Sequence, residues 1–171
     1  TINVDGNNDF VAGSEIVPSS TAGGTLYVGY DDDNLYLGLA HPSVVTGGSG
    51  NQFVYFLMST DPSLTTGNTL SSDAKAKFGA AGTARMSYHW KARIDGGVDY
   101  NEYRIGNGSN WNTDWTSNGK SAVRASGYLE GRIALSELGS PAQLVVSTYT
   151  IDYNGASGSG WLYNMLAGAT D

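Results

Sequence analysis

The chain contains no cysteine. Disulfides, thiolate metal sites and cysteine nucleophiles are thereby excluded, and the compartment is left open. Positive charge is also scarce: nine Lys and Arg stand against sixteen Asp and Glu, for a formal charge of −7. Phosphate binding needs clustered cations, so a nucleic-acid backbone is a poor partner. The same deficit disfavours an anionic membrane surface, and no apolar run is long enough for membrane insertion. Arg85, Lys91, Arg93 and Arg104 fall in one region but are too widely spaced to form a basic run. Helix signals are nearly absent. Ser136-Glu-Leu138 before Gly139 reads as one short turn, and Ser72 to Phe78 as loop or a single turn.

What is present is apolar alternation, with many aromatics and hydroxyl-bearing residues. Tyr occurs 11 times and Gly 24 times in 171 residues, the size of one domain spanning 1–171. Leu26-Val28-Tyr30 and Leu35-Leu37-Leu39 each place apolar side chains on one face of a strand. Gln52 to Met58 is nearly continuous, as in a central strand covered on both faces or one with an aromatic, functional face. Further strands are expected at Phe10 to Val17, Ala84 to Ile94, Val98 to Ile105, Tyr128 to Leu135, Gln143 to Ile151 and Gly160 to Leu166. Asp95-Gly96-Gly97 reads as a hairpin turn. About nine strands without crossover helices imply an all-β fold, a jelly-roll-like antiparallel β-sandwich. The long interruptions at Thr60 to Ala81 and Asn107 to Gly119 are rich in Gly, Ser, Thr and Asn. Loops of that length often carry function.

Acidic residues cluster twice. Asp31-Asp-Asp-Asn34 sits between two alternating runs and reads first as a hairpin tip, where Asp and Asn bond their own backbone. A calcium-ligating role comes second, because adjacent residues on a tight turn cannot all face one ion. In Val4-Asp-Gly-Asn-Asn-Asp9, followed by Glu15, two readings stand side by side. Asp5, Asp9 and Glu15 are candidate ligands for a structural calcium that clips the first strand to the body, or they cap an N-terminal turn.

The stretches "INVDGNNDF", "GTLYVGYDDDNLYLGLA", "NQFVYFLMSTDPS" and "YLEGRIALSELG" resemble the family 9-like carbohydrate-binding modules and the wider DOMON-like β-sandwich group. Asp5 and Gly6 match that group's opening, Asp31 its hairpin Asp, and Asp61 and Pro62 the end of its long strand. Glu130, Ile133, Leu138 and Gly139 match its late element. The chain departs from the pattern with Phe10 in place of a Trp and Ile133-Ala134 in place of Ile-Pro. The resemblance implies a sandwich that binds polysaccharide or oligosaccharide, appended to other domains of a secreted or cell-surface bacterial protein. Some relatives hold haem instead. Axial ligation would need His41 or His89 to meet Met58, Met86 or Met165 across an apolar slot, and haem is not favoured. Both histidines read instead as solitary surface or turn residues. The initial Thr and the lack of a signal-like segment fit a mature product or a module cut from a longer extracellular chain.

A sugar ring presents an apolar C–H face rimmed by hydroxyls, which suits an indole or phenol flanked by amides, carboxylates and guanidinium groups. "GNGSNWNTDWTSNG" places Trp111 and Trp115 in a polar setting, as ligand platforms or as inward loop anchors. In "ARMSYHWKARIDG" alternation sets Tyr88 and Trp90 with Met86 and Ala92, opposite Ser87, His89, Lys91 and Arg93. Trp90 then belongs either to the core or to an aromatic strip completed by Tyr100 or Tyr103. In the second case Arg93, Glu102 and Arg104 are its hydroxyl partners, or else they form ordinary cross-strand charge pairs. Trp161 reads as core or rim.

Catalytic patterns are weak. No Gly-x-Ser-x-Gly elbow precedes a helix, and the two histidines lack a third zinc ligand. The carboxylates Asp99, Glu102 and Glu130, and the trio Tyr88, His89 and Arg93, have no spacing that defines a reaction. The chain therefore reads as a non-catalytic carbohydrate-binding domain, with a glycan-free structural or protein-interaction domain as the alternative.

Overall fold

The computed structural model describes residues 2–11, 16–17, 24–47, 51–73, 78, 84–95, 100–112, 120–153 and 161–164. The strands are β1 (Ile16–Val17), β2 (Thr25–Tyr30), β3 (Asn34–Ala40), β4 (Gln52–Ser59), β5 (Tyr88–Arg93), β6 (Asn101–Gly106), β7 (Trp111–Asn112), β8 (Lys120–Ala125), β9 (Tyr128–Ala134), β10 (Val145–Asp152) and β11 (Trp161–Asn164). They form a five-stranded sheet, β1-β2-β3-β9-β8, and a six-stranded sheet, β11-β10-β4-β5-β6-β7. Every pairing is antiparallel. Leaving aside the two-residue edges β1 and β7, nine strands remain, in sheets of four and five. This is the expected β-sandwich. No helix among the described residues is long and apolar enough to cross a membrane.

Alternation explains how the sheets stack. Leu26 of β2, Leu35, Leu37 and Leu39 of β3, and Leu129 and Ile133 of β9 point inward from one sheet. Val54, Phe56 and Met58 of β4 and Trp90 and Ala92 of β5 meet them from the other, and all are buried. Each sheet also carries apolar residues on its outer face. On the five-stranded sheet Phe10, Tyr27, Tyr36 and Tyr128 cluster beneath Ile2 and Val4 of the N-terminal segment. On the six-stranded sheet Phe53, Tyr55, Leu57, Tyr149 and Ile151 pack with Phe78 and Met86 of the 60–87 connection. β4 is thus covered on both faces, the first of the two readings its apolar run allowed.

Several local expectations change. Of the strand expected over Phe10 to Val17, Ile16–Val17 is a strand, residues 12–15 lie outside the described residues, and Phe10 packs on the outside of a sheet. β8 was not anticipated, because its "KSAVRA" offers little bulk and is only half-buried. Its signal was Ser126-Gly127: Ala125 pairs directly with Tyr128, and Gly127 takes φ +79° in the two-residue turn. The short turn before Gly139 is a 3-10 turn over Leu135–Leu138, ended by Gly139 at φ 77°. The Asp95-Gly-Gly turn falls partly outside the described residues, but β5 and β6 pair antiparallel on either side of it.

The acidic tip is a turn. Asp31 Oδ1 accepts the backbone N–H of Asp33 (2.9 Å) and of Asn34 (2.7 Å). Its other oxygen accepts the Tyr36 hydroxyl at 2.7 Å. These bonds, with the Tyr36 hydroxyl the largest effect, hold its carboxyl below the ordinary Asp range. At the N-terminus Asp5 Oδ1 accepts the Asn7 backbone N–H at 2.9 Å, and Asp9 Oδ2 accepts that of Asn3 at 3.1 Å. Glu15 lies outside the described residues. Among the described residues no three potential ligands come together.

Two stretches that carry the family resemblance meet here. The buried Glu130 carboxylate accepts the N–H of Asp5 at 2.7 Å and of Gly6 at 2.6 Å. The opening segment is thereby clipped to β9. Gly6 adopts φ +90° at that point, a conformation that L side chains rarely take.

Candidate functional site

The residues named as sugar partners divide between the two faces of the six-stranded sheet. Trp90 is fully buried in the inter-sheet core. Its ring stacks on Phe56 (4.6 Å between centroids, 15°) and on Tyr103 (6.0 Å, 8°), and its indole N–H donates to Asn101 at 2.9 Å. Tyr88 and Tyr103 pack against the same core, and burial raises the Tyr103 hydroxyl pKa. The aromatic-strip reading of Trp90, Tyr88 and Tyr103 is therefore corrected: these rings fill the sandwich. Arg93 and Glu102, one residue out of phase with them, lie on the opposite face. Trp115 lies outside the described residues, as does the side chain of Trp161.

That outer face is densely polar and aromatic. Glu102 is its centre. Arg104 approaches it in two places, with Nε 2.8 Å from one carboxylate oxygen and Nη2 donating to the other at 2.8 Å. The Tyr100 hydroxyl donates to Glu102 at 2.5 Å, and His89 Nε2 stands 3.3 Å away. Burial alone would raise the Glu102 pKa, but bonds from His89, Arg104 and Tyr100 outweigh it and hold the carboxyl well below the usual range. Burial lowers the His89 pKa, with Glu102 opposing. The imidazole is thus neutral near pH 7 and meets Glu102 as a hydrogen-bond donor rather than as an ion pair. His89 is not the surface residue expected. It is fully buried, between Tyr55 at 5.4 Å and Trp111 at 4.8 Å.

Next along β5, Lys91 is enclosed by rings. Its ammonium lies 4.5 Å from the centroid of Phe53, 5.1 Å from Tyr153, 5.2 Å from Tyr55 and 5.8 Å from Tyr100. Burial lowers its pKa, with Glu102 and Asp73 opposing. Aromatic faces are electron-rich and hold a cation in this way. Beside it the Tyr55 hydroxyl donates to Asp73 at 3.1 Å, and the Tyr153 hydroxyl bonds the same carboxylate. Arg93 lies over the Phe53 ring at 5.2 Å.

At the edge of this face a cleft opens, with a volume of about 350 Å³. β7 supplies Trp111, which pairs with Gly106 and is half-buried. Its indole N–H donates to the Leu70 carbonyl at 2.7 Å, fixing the ring against the 60–73 loop. The cleft is otherwise lined mainly by hydroxyls and amides, including Asn68, Ser71, Ser72 and Asn110, with the Arg104 guanidinium as the one charged group among the described residues. The loop is itself well fixed. Asn68 pairs backbone to backbone with Met86, and its Oδ1 accepts the Gly108 N–H at 2.8 Å. Asp61 accepts N–H groups from Ser63, Thr65 and Thr66 at 2.8 to 3.0 Å. The Thr65 hydroxyl and these backbone bonds bring the Asp61 carboxyl down to about 2.

Trp111, Arg93, Glu102 and Arg104 are the named residues that share this face. Asn68, Ser71 and Ser72 were not singled out, although their loop was marked by its length and Ser/Thr/Asn content. Tyr55, Lys91 and Tyr153 were also missed as site residues. Comparison with family models, curated proteins and solved structures finds no match to this chain.

Proposed function

We propose that this domain binds carbohydrate without transforming it, through the cleft at the edge of the six-stranded sheet. The observation that carries the reading is the half-buried Trp111 in an open cleft otherwise rich in hydroxyls and amides. A flat indole suits the C–H face of a sugar, while Asn, Ser and Arg side chains suit its hydroxyls. The cleft lies within the volume range of small-molecule sites. Glu102, the carboxylate that Arg104 bonds at the edge of the cleft, is engaged by three donors and held ionised, which makes it a poor proton donor. The resemblance to carbohydrate-binding modules points the same way. It suggests a module of a larger extracellular or cell-surface protein that keeps its parent on a polysaccharide.

Isothermal titration against a panel of neutral and acidic glycans tests this. At least one glycan is expected to bind, and Trp111→Ala should weaken it by about tenfold or more. The reading is wrong if no glycan binds, or if binding is indifferent to Trp111.

A further inference from the structure

The proposed site has a sign of charge opposite to that of the whole chain. The chain carries −7, yet among the described residues no Asp or Glu lines the cleft, and Arg104 does. Arg104 is also incompletely used. Nε and Nη2 face Glu102, while Nη1 has no hydrogen-bond acceptor among the described residues. A guanidinium held along one edge by a carboxylate keeps its other donors in a fixed direction for an incoming anion.

A second positive charge lies on the same sheet face. His89 pairs with Arg104 and Lys91 with Glu102 across β5 and β6, so Lys91 is two residues further along, about 7 Å by strand geometry. Its ammonium is held by four rings and forms no ion pair among the described residues. Arg93 follows after the same interval. Glu102 and Asp73, the second held beside Lys91 by the Tyr55 and Tyr153 hydroxyls, offset two of these three charges, and the Glu102 oxygens are occupied by Arg104, Tyr100 and His89. Among the described residues the face along β5 from Trp111 thus keeps a net positive charge, and Arg104 is the cation that reaches the cleft.

Resting on the carbohydrate-binding reading, we infer that the ligand is an acidic saccharide, a uronic-acid-containing oligomer or polymer whose carboxylate meets the free edge of Arg104 while a ring lies against Trp111. A carboxylate matches the planar guanidinium more closely than a hydroxyl does, and it removes the unbalanced charge of the face.

The test uses the whole domain with oligomers of galacturonate, glucuronate, mannuronate and guluronate. Each is compared with the same oligomer after its carboxylates have been reduced to primary alcohols, and a sulfated neutral oligosaccharide forms a third arm. At least one uronate oligomer should bind about tenfold tighter than its reduced partner at low salt. The advantage should shrink as NaCl is raised to about 0.5 M, where screening is short-ranged. Arg104→Gln should close the gap between acid and alcohol, Arg104→Lys should keep part of it, and Trp111→Ala should weaken both. Equal binding of acid and reduced oligomers overturns the inference, as does a preference confined to the sulfated arm. In either case Trp111-dependent binding of the reduced oligomers leaves the carbohydrate-binding reading standing. Absence of binding in every arm, neutral glycans included, overturns both.

Discussion

Gly131 is the position where a single methyl group tests the architecture. It lies on β9 facing the core, and a Cβ built there would stand 2.4 Å from Cη2 and 2.7 Å from Cζ3 of Trp90. The indole cannot retreat easily, since Phe56 and Tyr103 stack on it and Asn101 holds its N–H. The Ser121 carbonyl, 3.0 Å from the same Cβ, blocks the other direction. Overpacking of this kind costs about 1–3 kcal/mol. Replacing a glycine also restricts the unfolded chain, which returns about 0.4–1 kcal/mol. Gly131→Ala should therefore lose about 1–2 kcal/mol net, read in urea as a lower midpoint at unchanged slope. Trp90→Phe removes the atoms that collide. In the double variant the penalty of the added methyl should largely vanish, giving a coupling of at least about 1 kcal/mol. If Gly131→Ala is as stable as the parent, or if the two changes simply add, the ring does not press on β9. The assignment of Trp90 to the core would then fail.

Three further outcomes follow from the polar contacts. Glu102 has a folded pKa below its unfolded value, so its contribution is present above about pH 4.5 and fades as the pH falls; Glu102→Gln should flatten the acid limb of a stability–pH profile, and an unchanged limb would contradict it. Tyr100, pushed up to about 12 by burial and by Glu102, should titrate late in an alkaline absorbance scan, and it should return toward the ordinary range in Glu102→Gln. Glu130→Ala leaves the N–H groups of Asp5 and Gly6 without their acceptor; a loss of about 2 kcal/mol and faster hydrogen exchange over residues 2–10 are expected, and protection equal to the parent would sink the clip.

Alternation made most of the sandwich legible. Leu35-Leu37-Leu39 has one physical reading, a strand with one face to the core, and the unbroken run of β4 marked a central strand; both are strands of the sandwich. β8 escaped because half-buried edge residues such as Ser121 and Ala122 carry no apolar signature, and Phe10 was read as the start of a strand because an apolar ring that covers a sheet from a loop has the same sequence signature as one on a strand. The site was legible only by halves. The polar setting of Trp111 marked a loop feature, and the alternation around Trp90 correctly separated it from Arg93. Which of those two faces was the interior could not be read from β5 alone, since Tyr88-Trp90 and Lys91-Arg93 each suit a sugar. The opposite sheet decides it, through Gly131, whose missing side chain makes room for the indole.

Most of the aromatic surface on the outer face is already committed. Tyr55 stacks on Tyr149 at 4.7 Å and 9°, Phe53 packs edge-on against Tyr100 and Tyr153, and the Lys91 ammonium lies among these rings. A flat sugar platform in the middle of the sheet would have to displace that cation into water. Trp111 packs against His89 but holds no cation among the described residues. It stands on a two-residue edge strand with its N–H satisfied by the Leu70 carbonyl, so a ligand can cover the ring without unpairing a buried polar group. The loop that provides this carbonyl also provides Asn68, Ser71 and Ser72, and Asp61 fixes its start through five hydrogen bonds from Ser63, Thr65 and Thr66. Ring and rim are thus held by one segment. Releasing it with Asp61→Ala should weaken glycan binding far more than it lowers the unfolding midpoint, whereas parallel losses would mean that the loop supports the fold rather than the cleft.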